Sequence, residues 1–480
     1  MTTTATPAPT PEVARETRLS RVAQAIAGWT EKWFPDAYVF ALVGVVVVAV
    51  AALLNGSSVA TVATTFGGGF WDLTAFTLQM AMVVLGGYVV ATSPPIARMI
   101  NWLALRPRSG PGAVAFIAVL AMLISLLNWG LSLIFAGLLA RAVARRTDIT
   151  MDYRAAGAAA LMGLGATWAL GLSSSAAQLQ ATASSIPASL LPITGVLDFG
   201  KTILTWQSLL MAGVLIVLTA AVAYWSAPRG RVVTAADLGA DLSDEIEVVD
   251  KRTRPGEWLE HSRILPILLG LLTLVWLVLQ FVNLPFLSVI SSLNAYLFVF
   301  LMLGLVLHGT PRKFLTAVNK AVPATAGILV QFPLYAAMAA ILTKAEGRGG
   351  ETLAHHLSSL FTSTGSAVGL GLLVGLYTVV LGVFVPSGGG KWLVEAPYVM
   401  QAATDLHLNL GWTVQIYNVA EALPNMINPF FMLPLLALLK IRARDMVGFS
   451  FIQFLFHTPV VFLMIWLLTG TFDFVPAVIP

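Results

Sequence analysis

The chain has 480 residues, of which 58% are hydrophobic and only 10% charged, against roughly 45–50% and 25% in a soluble protein. That balance needs a lipid solvent and excludes an ordinary water-soluble domain. The net charge of +4 is spread over loops beside apolar stretches, so no nucleic-acid partner is expected, and the absence of cysteine excludes disulfides and thiolate metal sites.

Residues 1–36 open with a Thr/Pro/Ala-rich stretch that lacks the apolar core and cleavage site of a secretory signal, and they read as a disordered cytoplasmic tail. Arg15, Arg18, Arg21 and Lys32 precede the first apolar span, 37–54, and place the N-terminus inside. A second span, 72–91, returns to a loop carrying Arg98, Arg106 and Arg108. The next apolar stretch, 113–140, is interrupted by Asn128-Trp129-Gly130 and has basic clusters at both ends. Two arms of about 14 residues reach only about 20 Å, past mid-bilayer but not across it. A re-entrant hairpin with those three residues at its tip is therefore expected. The competing reading is one long tilted helix.

Residues 155–172 cross outward and break at Ser173-Ser174-Ser175, and 203–225 cross back. The first transmembrane repeat is thus 37–225. A hydrophilic linker follows at 226–263, mixing Asp241, Asp244, Glu245 and Glu247 with Arg229, Arg231, Lys251, Arg252 and Arg254. Within 264–480, a connecting span at 264–282 leads into spans 294–308 and 322–342. A second hairpin, 367–385 continuing to 400, has its tip at Pro386-Ser387-Gly388-Gly389-Gly390-Lys391-Trp392. Exposed to lipid, its unpaired backbone would cost several kcal/mol per group, so it must face protein or a watery cavity. The stretch 412–439 is broken at Pro424-Asn425 and Asn428-Pro429, and 446–468 closes the chain.

The two halves carry the same order of features. Thr77-Leu78-Gln79-Met80 matches Leu329-Val330-Gln331-Phe332, and each Gln is followed by an amphipathic stretch, a hairpin with Trp at its tip, a broken span and an intact span. The extra span at 264–282 reverses the sense of the second set. The expected fold is therefore an all-α polytopic membrane protein of about nine spans with two re-entrant hairpins in inverted repeats, an arrangement that places ligands near the midplane between broken helices.

Few charges lie within apolar segments: Lys391, Glu395, Glu421 and, when protonated, His457. Each costs at least about 2.5–3.5 kcal/mol at a span centre, so each marks a function by default. Glu421 shares a helical face with Tyr417 and Asn425. It reads either as a proton-accepting carboxylate for coupling or as a buried partner of Lys391 that holds the halves together. Lys391 follows three glycines that let backbone approach a ligand, beside a helix N-terminus, a combination suited to a carboxylate. The bland alternative is a lysine snorkelling to the headgroups. Asn128, Trp129 and Gly130, Ser173 and Ser174, Ser387 with Gly388 to Gly390, and Asn425 and Asn428 complete the expected substrate site. Each amide alone is more often a helix-to-helix hydrogen bond. His355 and His356 read as interfacial. No metal-ligand spacing, P-loop or dinucleotide fingerprint is present, and no cofactor or enzymatic nucleophile–base pair is expected.

From the Pro386-to-Trp392 run, the chain resembles the bacterial short-chain fatty acid transporter family, the AtoE-like acetoacetate and butyrate uptake proteins. Gly68-Gly69-Phe70-Trp71, Phe76-Thr77-Leu78-Gln79-Met80-Ala81, Asn128-Trp129-Gly130, Ala142-Val143-Ala144-Arg145-Arg146, Ser262-Arg263-Ile264-Leu265 and Gly327-Ile328-Leu329-Val330-Gln331-Phe332-Pro333 are similar as well, in order. One departure is Lys391, where some members carry His or Gln. The resemblance implies uptake of small monocarboxylates across the bacterial inner membrane, with H+ as the expected coupling ion and Na+ the alternative. A sodium-coupled organic anion transporter or a passive anion channel is the competing function, and a homo-oligomer is compatible with the sequence.

Overall fold

The computed structural model describes Lys32 and residues 37–230, 232–243 and 254–477. The expected tail with Arg15, Arg18 and Arg21, and the linker residues Arg231, Asp244, Glu245, Glu247, Lys251 and Arg252, lie outside the described residues.

Every extended element among the described residues is a helix. The first repeat comprises α1 (Ala37–Leu54), α2 (Val59–Gly69), α3 (Thr74–Ala91), α4 (Pro94–Ala104), α5 (Gly110–Ser125), α6 (Trp129–Ala144), α7 (Tyr153–Met162), α8 (Ser175–Ala181) and α9 (Trp206–Ser226). The connecting span is α10 (Ile264–Asn283). The second repeat comprises α11 (Leu293–His308), α12 (Pro311–Ala321), α13 (Ala326–Lys344), α14 (Leu353–Thr362), α15 (Ala367–Phe384), α16 (Gly388–Asp405), α17 (Leu410–Asn425), α18 (Pro429–Leu439) and α19 (Ala443–Thr469).

Among the described residues, seven helical stretches are long and apolar enough to cross a membrane, or eight with the pair α17 and α18, which bend by 56° at their break. The expected spans correspond to all of these except α15, together with α1 and α11, which are apolar but shorter. α15 is the first arm of the second hairpin and is itself long enough to cross. The irregular stretch in the first repeat starts earlier than the serines suggest: α7 passes into a π-helical turn at Gly163–Thr167 and a 3-10 turn at Trp168–Leu170 before the chain breaks at Gly171.

Both hairpins are present as antiparallel pairs. Ser132 on α6 donates to the Ala121 carbonyl on α5 (2.6 Å). On the second pair, Thr378 donates to Glu395 (2.7 Å) and the hydroxyls of Tyr377 and Tyr398 meet at 2.9 Å. Because the chain has no cysteine, the topology is open to single-cysteine labelling without background. Cysteines at Ser109 and Thr147 are expected to label from one side of the membrane, and cysteines at Ser366 and Asp405 from the other. Opposite-side labelling within either pair would make that hairpin a full crossing.

The inversion follows from the helix ends. Ser57, just after α1, donates to the Glu346 carbonyl just after α13 (2.8 Å), so these two helices run parallel. Lys344 at the end of α13 pairs with Asp72 before α3 (3.0 Å), so α3 runs the other way. α11 runs with α3, since Gln79 bonds Asn294 (2.7 Å) near their starts and His308 meets the Val89 carbonyl (2.8 Å) near their ends. The opening helices α1 and α11 are therefore antiparallel, and each packs on the third helix of the other repeat.

Four helices begin inside the bundle: α6 and α16 at the hairpin tips, α8 and α18 at the breaks. The first N–H groups of a helix lack intrahelical partners, and away from lipid headgroups and bulk water the protein itself must supply them. Asn128, Ser174, Ser387 and Asn428 do so as side-chain caps, all buried. Each cap is worth about 1 kcal/mol.

On the basic side, Arg141 donates to the carbonyls of Leu438 (3.0 Å) and Ser243 (3.1 Å), and Arg145 to Leu242 (2.9 Å). The described part of the linker is thus fastened to the end of the first hairpin. There, hydrogen bonds from Ser243 and Lys440 draw the exposed Asp241 carboxyl down to about 2.

Candidate functional site

The first tip and the first break lock together. The Leu172 N–H donates to the Leu126 carbonyl (2.7 Å), and the Trp129 N–H to Ser173 Oγ (2.9 Å). Asn128 caps Leu131 (2.8 Å) while its amide donates to the Tyr296 hydroxyl (2.7 Å), tying the tip to α11 of the other repeat. Gly130 packs against Val84 of α3, and Gly87 gives room for Asn128: a Cβ on Gly87 would sit 2.4 Å from Asn128 Oδ1.

The second tip meets the second break in the same manner. The Tyr417 hydroxyl donates to the Gly388 carbonyl (2.5 Å), and Asn428 donates to the Val383 carbonyl (3.2 Å) while capping Phe430 (3.0 Å). Gly388 to Gly390 themselves form the first turn of α16, capped by Ser387. Their lack of side chains still matters. A Cβ on Gly388 would lie 2.5 Å from the Trp168 ring, one on Gly389 3.1 Å from Ser175, and one on Gly390 2.1 Å from the Tyr335 ring.

Trp168 is where the two tips meet: its ring stands edge-on to Trp129 at 6.5 Å and covers Gly388. Further links cross between repeats, from Ser174 to Asn418 Oδ1 (3.1 Å) and from Asn425 to the Leu164 carbonyl in the π turn (3.0 Å).

Lys391 is fully buried, as are Glu395 and Glu421. Its ammonium forms an ion pair with Glu421 and donates to the Thr378 carbonyl (2.8 Å), above the Tyr417 ring at 5.4 Å. Snorkelling is excluded by that burial. The pair joins α16 to α17, so it lies within the second repeat and does not clamp the two halves together. Tyr417, Glu421 and Asn425 do share a face, but the first two serve the second tip and the third reaches the first repeat. Glu395 lies one turn after Lys391 and accepts from Thr378.

Other sequence candidates lie elsewhere. Gln79 bonds Asn294 and Ser185, and Gln331 bonds Tyr335 (3.3 Å). His457 links Thr219 (2.8 Å) and the Gln453 carbonyl, joining the two closing helices. His355 and His356 both face Glu351 at the surface. Among the described residues, buried polar atoms without a partner concentrate on the broken spans: Trp168 Nε1, Gln178 Oε1, Gln415 Nε2, Glu421 Oε1 and Asn425 Oδ1. Trp168, Tyr296 and Tyr335 also touch the tips, and hydropathy and spacing did not single them out. The only local signal for Trp168 is the cluster of Gly163, Gly165 and Gly171 around it.

Paired hairpins and broken helices, with a buried ion pair where they meet, define a multi-pass membrane transporter. The fold agrees with two solved transporters: MtrF of Neisseria gonorrhoeae, described as illuminating a class of antimetabolite efflux pumps (TM-score 0.59, 11% identity, 96% of this chain and 100% of that one), and the YdaH transporter of Alcanivorax borkumensis (TM-score 0.53, 16% identity, 91% and 98%). The model of the short chain fatty acid transporter family matches residues 18–468. Relatives in Escherichia coli (30% identity, 91% of this chain and 97% of that one) and Haemophilus influenzae (29%, 92% and 98%) each bear the name "Putative short-chain fatty acid transporter". The chain belongs to the short-chain fatty acid transporter family.

Proposed function

We propose that the protein imports small monocarboxylates, such as acetoacetate or butyrate, across the bacterial inner membrane by proton symport with alternating access. The observation that carries this reading is the buried Lys391–Glu421 pair at the second hairpin tip. A substrate carboxylate is chemically the same partner that Glu421 offers to Lys391. Protonation of Glu421 removes the incumbent and leaves the ammonium for the substrate, beside the first N–H groups of α16. Release of the anion and the proton lets the internal pair reform. Because the substrate anion and the proton enter and leave together, the empty and the loaded carrier have the same net charge, and Lys391 faces a carboxylate in both. That matters because an unpaired buried charge costs several kcal/mol.

Asn128, Trp129, Ser173 and Ser174 would shape the opposing wall, with Trp168 between the tips. Orphaned polar atoms such as Asn425 Oδ1 and Trp168 Nε1 would gain partners from a polar ligand, each worth about 1–3 kcal/mol of relieved desolvation. A sodium-coupled reading rests on the buried, unpartnered oxygens Gln178 Oε1 and Asn425 Oδ1 beside the two breaks, since Na+ takes such ligands at unwound helices.

Uptake of labelled acetoacetate and butyrate into proteoliposomes tests both readings. Accumulation driven by an imposed pH gradient is the expected result. Accumulation driven by sodium alone would select the second reading, equilibration without accumulation would indicate a channel, and no flux of either acid would sink the substrate class.

A further inference from the structure

On the basic side of the bundle, a cleft of about 490 Å³ opens where α4, α10 and α11–α12 meet. Its wall carries Arg98, Arg263 and Lys313 together with His261 and His308, and no carboxylate among the described residues. Of the two acids just before the cleft in the chain, Glu260 is engaged by Arg312 at 3.3 Å and the Glu257 carboxylate accepts from the Arg254 N–H at 3.2 Å. Arg98, Arg263 and Lys313 have no side-chain ion pair or hydrogen bond among the described residues. Three helices of eleven or more residues begin here, at Pro94, Ile264 and Pro311, and none has an acidic residue in its first turn. Loop lysines and arginines that only set topology need no such convergence with helix N-termini.

A second, independent feature lies directly above it. α10 and α11 form an apolar groove of about 390 Å³ lined by Ile267, Leu271, Leu274, Met302, Leu303 and Val306. It begins one turn from the cleft: Ile267 follows Arg263 by four residues, and Val306 is adjacent to Leu307 of the cleft wall. Gly270 is in the groove floor, where a Cβ would come 2.7 Å from Val306. α10 buries little of itself against the rest of the protein, with Ile267, Leu271 and Leu274 all more than half exposed.

We infer that the cleft and groove together form a binding site for an anionic phospholipid of the basic-side leaflet, the phosphate headgroup in the cleft and an acyl chain along the groove. Neither part alone would select such a ligand. Exposed basic residues attract any phosphate, and an apolar groove accepts any acyl chain. A basic cleft continuous with an acyl-sized groove at the membrane interface selects a molecule that has both, and disfavours a zwitterionic headgroup. This site lies apart from the hairpin tips and does not depend on what they transport.

The full chain, purified in detergent, is titrated with dioleoylphosphatidylglycerol, dioleoylphosphatidylcholine or inorganic phosphate and bound adducts are counted by native mass spectrometry. Phosphatidylglycerol is expected to bind about tenfold or more tighter than phosphatidylcholine, and inorganic phosphate to leave it undisplaced. Replacing Arg98, Arg263 and Lys313 together by Ala should lower phosphatidylglycerol binding by about tenfold or more, whereas R98K/R263K/K313R, which keeps the charges, should retain it. Filling the groove with L271W/L303W should weaken it with all cations in place. Equal binding of the two lipids, or undiminished binding by the triple Ala variant, would overturn the site. Displacement by phosphate, with the groove-filled variant still binding normally, would make it a free-phosphate site instead.

Discussion

Glu421→Gln is expected to abolish accumulation driven by a pH gradient while leaving exchange of labelled for unlabelled substrate across the same vesicles. The amide keeps the shape of Glu421 but cannot take up and release the proton, so the site stays in a substrate-accepting form. Lys391→Gln is expected to lose both accumulation and exchange, because it removes the cation that the substrate carboxylate needs. The two variants also differ from the wild type in stability, since each leaves one buried charge without its partner. Breaking such a pair costs about 3–5 kcal/mol, whereas replacing both members by apolar groups is often neutral. Lys391→Met with Glu421→Leu should therefore regain much of the thermal stability lost by Lys391→Gln and regain no transport. Glu395 shares Thr378 with Lys391, so the double variant is best made with Glu395→Gln to avoid stranding a third charge. Persistent pH-driven accumulation by Glu421→Gln would remove it from coupling. A double variant no more stable than the single ones would mean that packing, not charge, dominates at this position.

Much of this site is legible in sequence for a simple reason. A polar residue within an apolar run is costly in lipid, so Asn128, the 173–175 serines, Ser387, Asn428, Lys391 and Glu421 stand out wherever they occur. Caps mark helix starts locally, and four of these residues are caps. What sequence leaves open is which of them meet. The Lys391–Glu421 contact spans thirty residues, and whether the hairpin tip and the broken helix pack closely enough to form it is something that no local signal carries. Trp168 and Tyr335 are invisible for the opposite reason: an aromatic residue in an apolar segment is unremarkable until the glycines it covers are seen across the bundle. The exchange of α1 and α11 between repeats is likewise a tertiary fact, set by small contacts such as Gly304 against Val89 and Gly44 against Met338. The π turn at Gly163–Thr167 is also met from across the bundle, where Asn425 donates to its Leu164 carbonyl.

The close fit of the first tip on the first break gives the second large effect. Gly171→Ala is expected to destabilise the protein by about 1–3 kcal/mol, the usual range for overpacking, and to slow uptake by about tenfold or more, since displacing a site by about 1 Å can cost that much. The backbone at Gly171 has φ −111° and ψ −178°, which any residue adopts. Conformational strain is therefore not the cause. The added Cβ would lie 2.4 Å from Leu126 Cα and 2.5 Å from its carbonyl oxygen, and backbone cannot rotate aside as a side chain can. Relief requires the tip to move off the break, which stretches the Leu172-to-Leu126 and Trp129-to-Ser173 bonds and carries Trp168 away from Gly388. Gly213→Ala in α9 is the control, because nothing stands within 4 Å of its Cβ position. There Ala should be neutral or stabilising by up to about 1 kcal/mol, as expected within a helix. Melting temperatures and initial uptake rates measured together separate the effects. If Gly171→Ala melts lower but transports at the control rate, the junction is structural only and substrate passes elsewhere; if uptake falls much further than stability explains, the meeting of tip and break is part of the transport path.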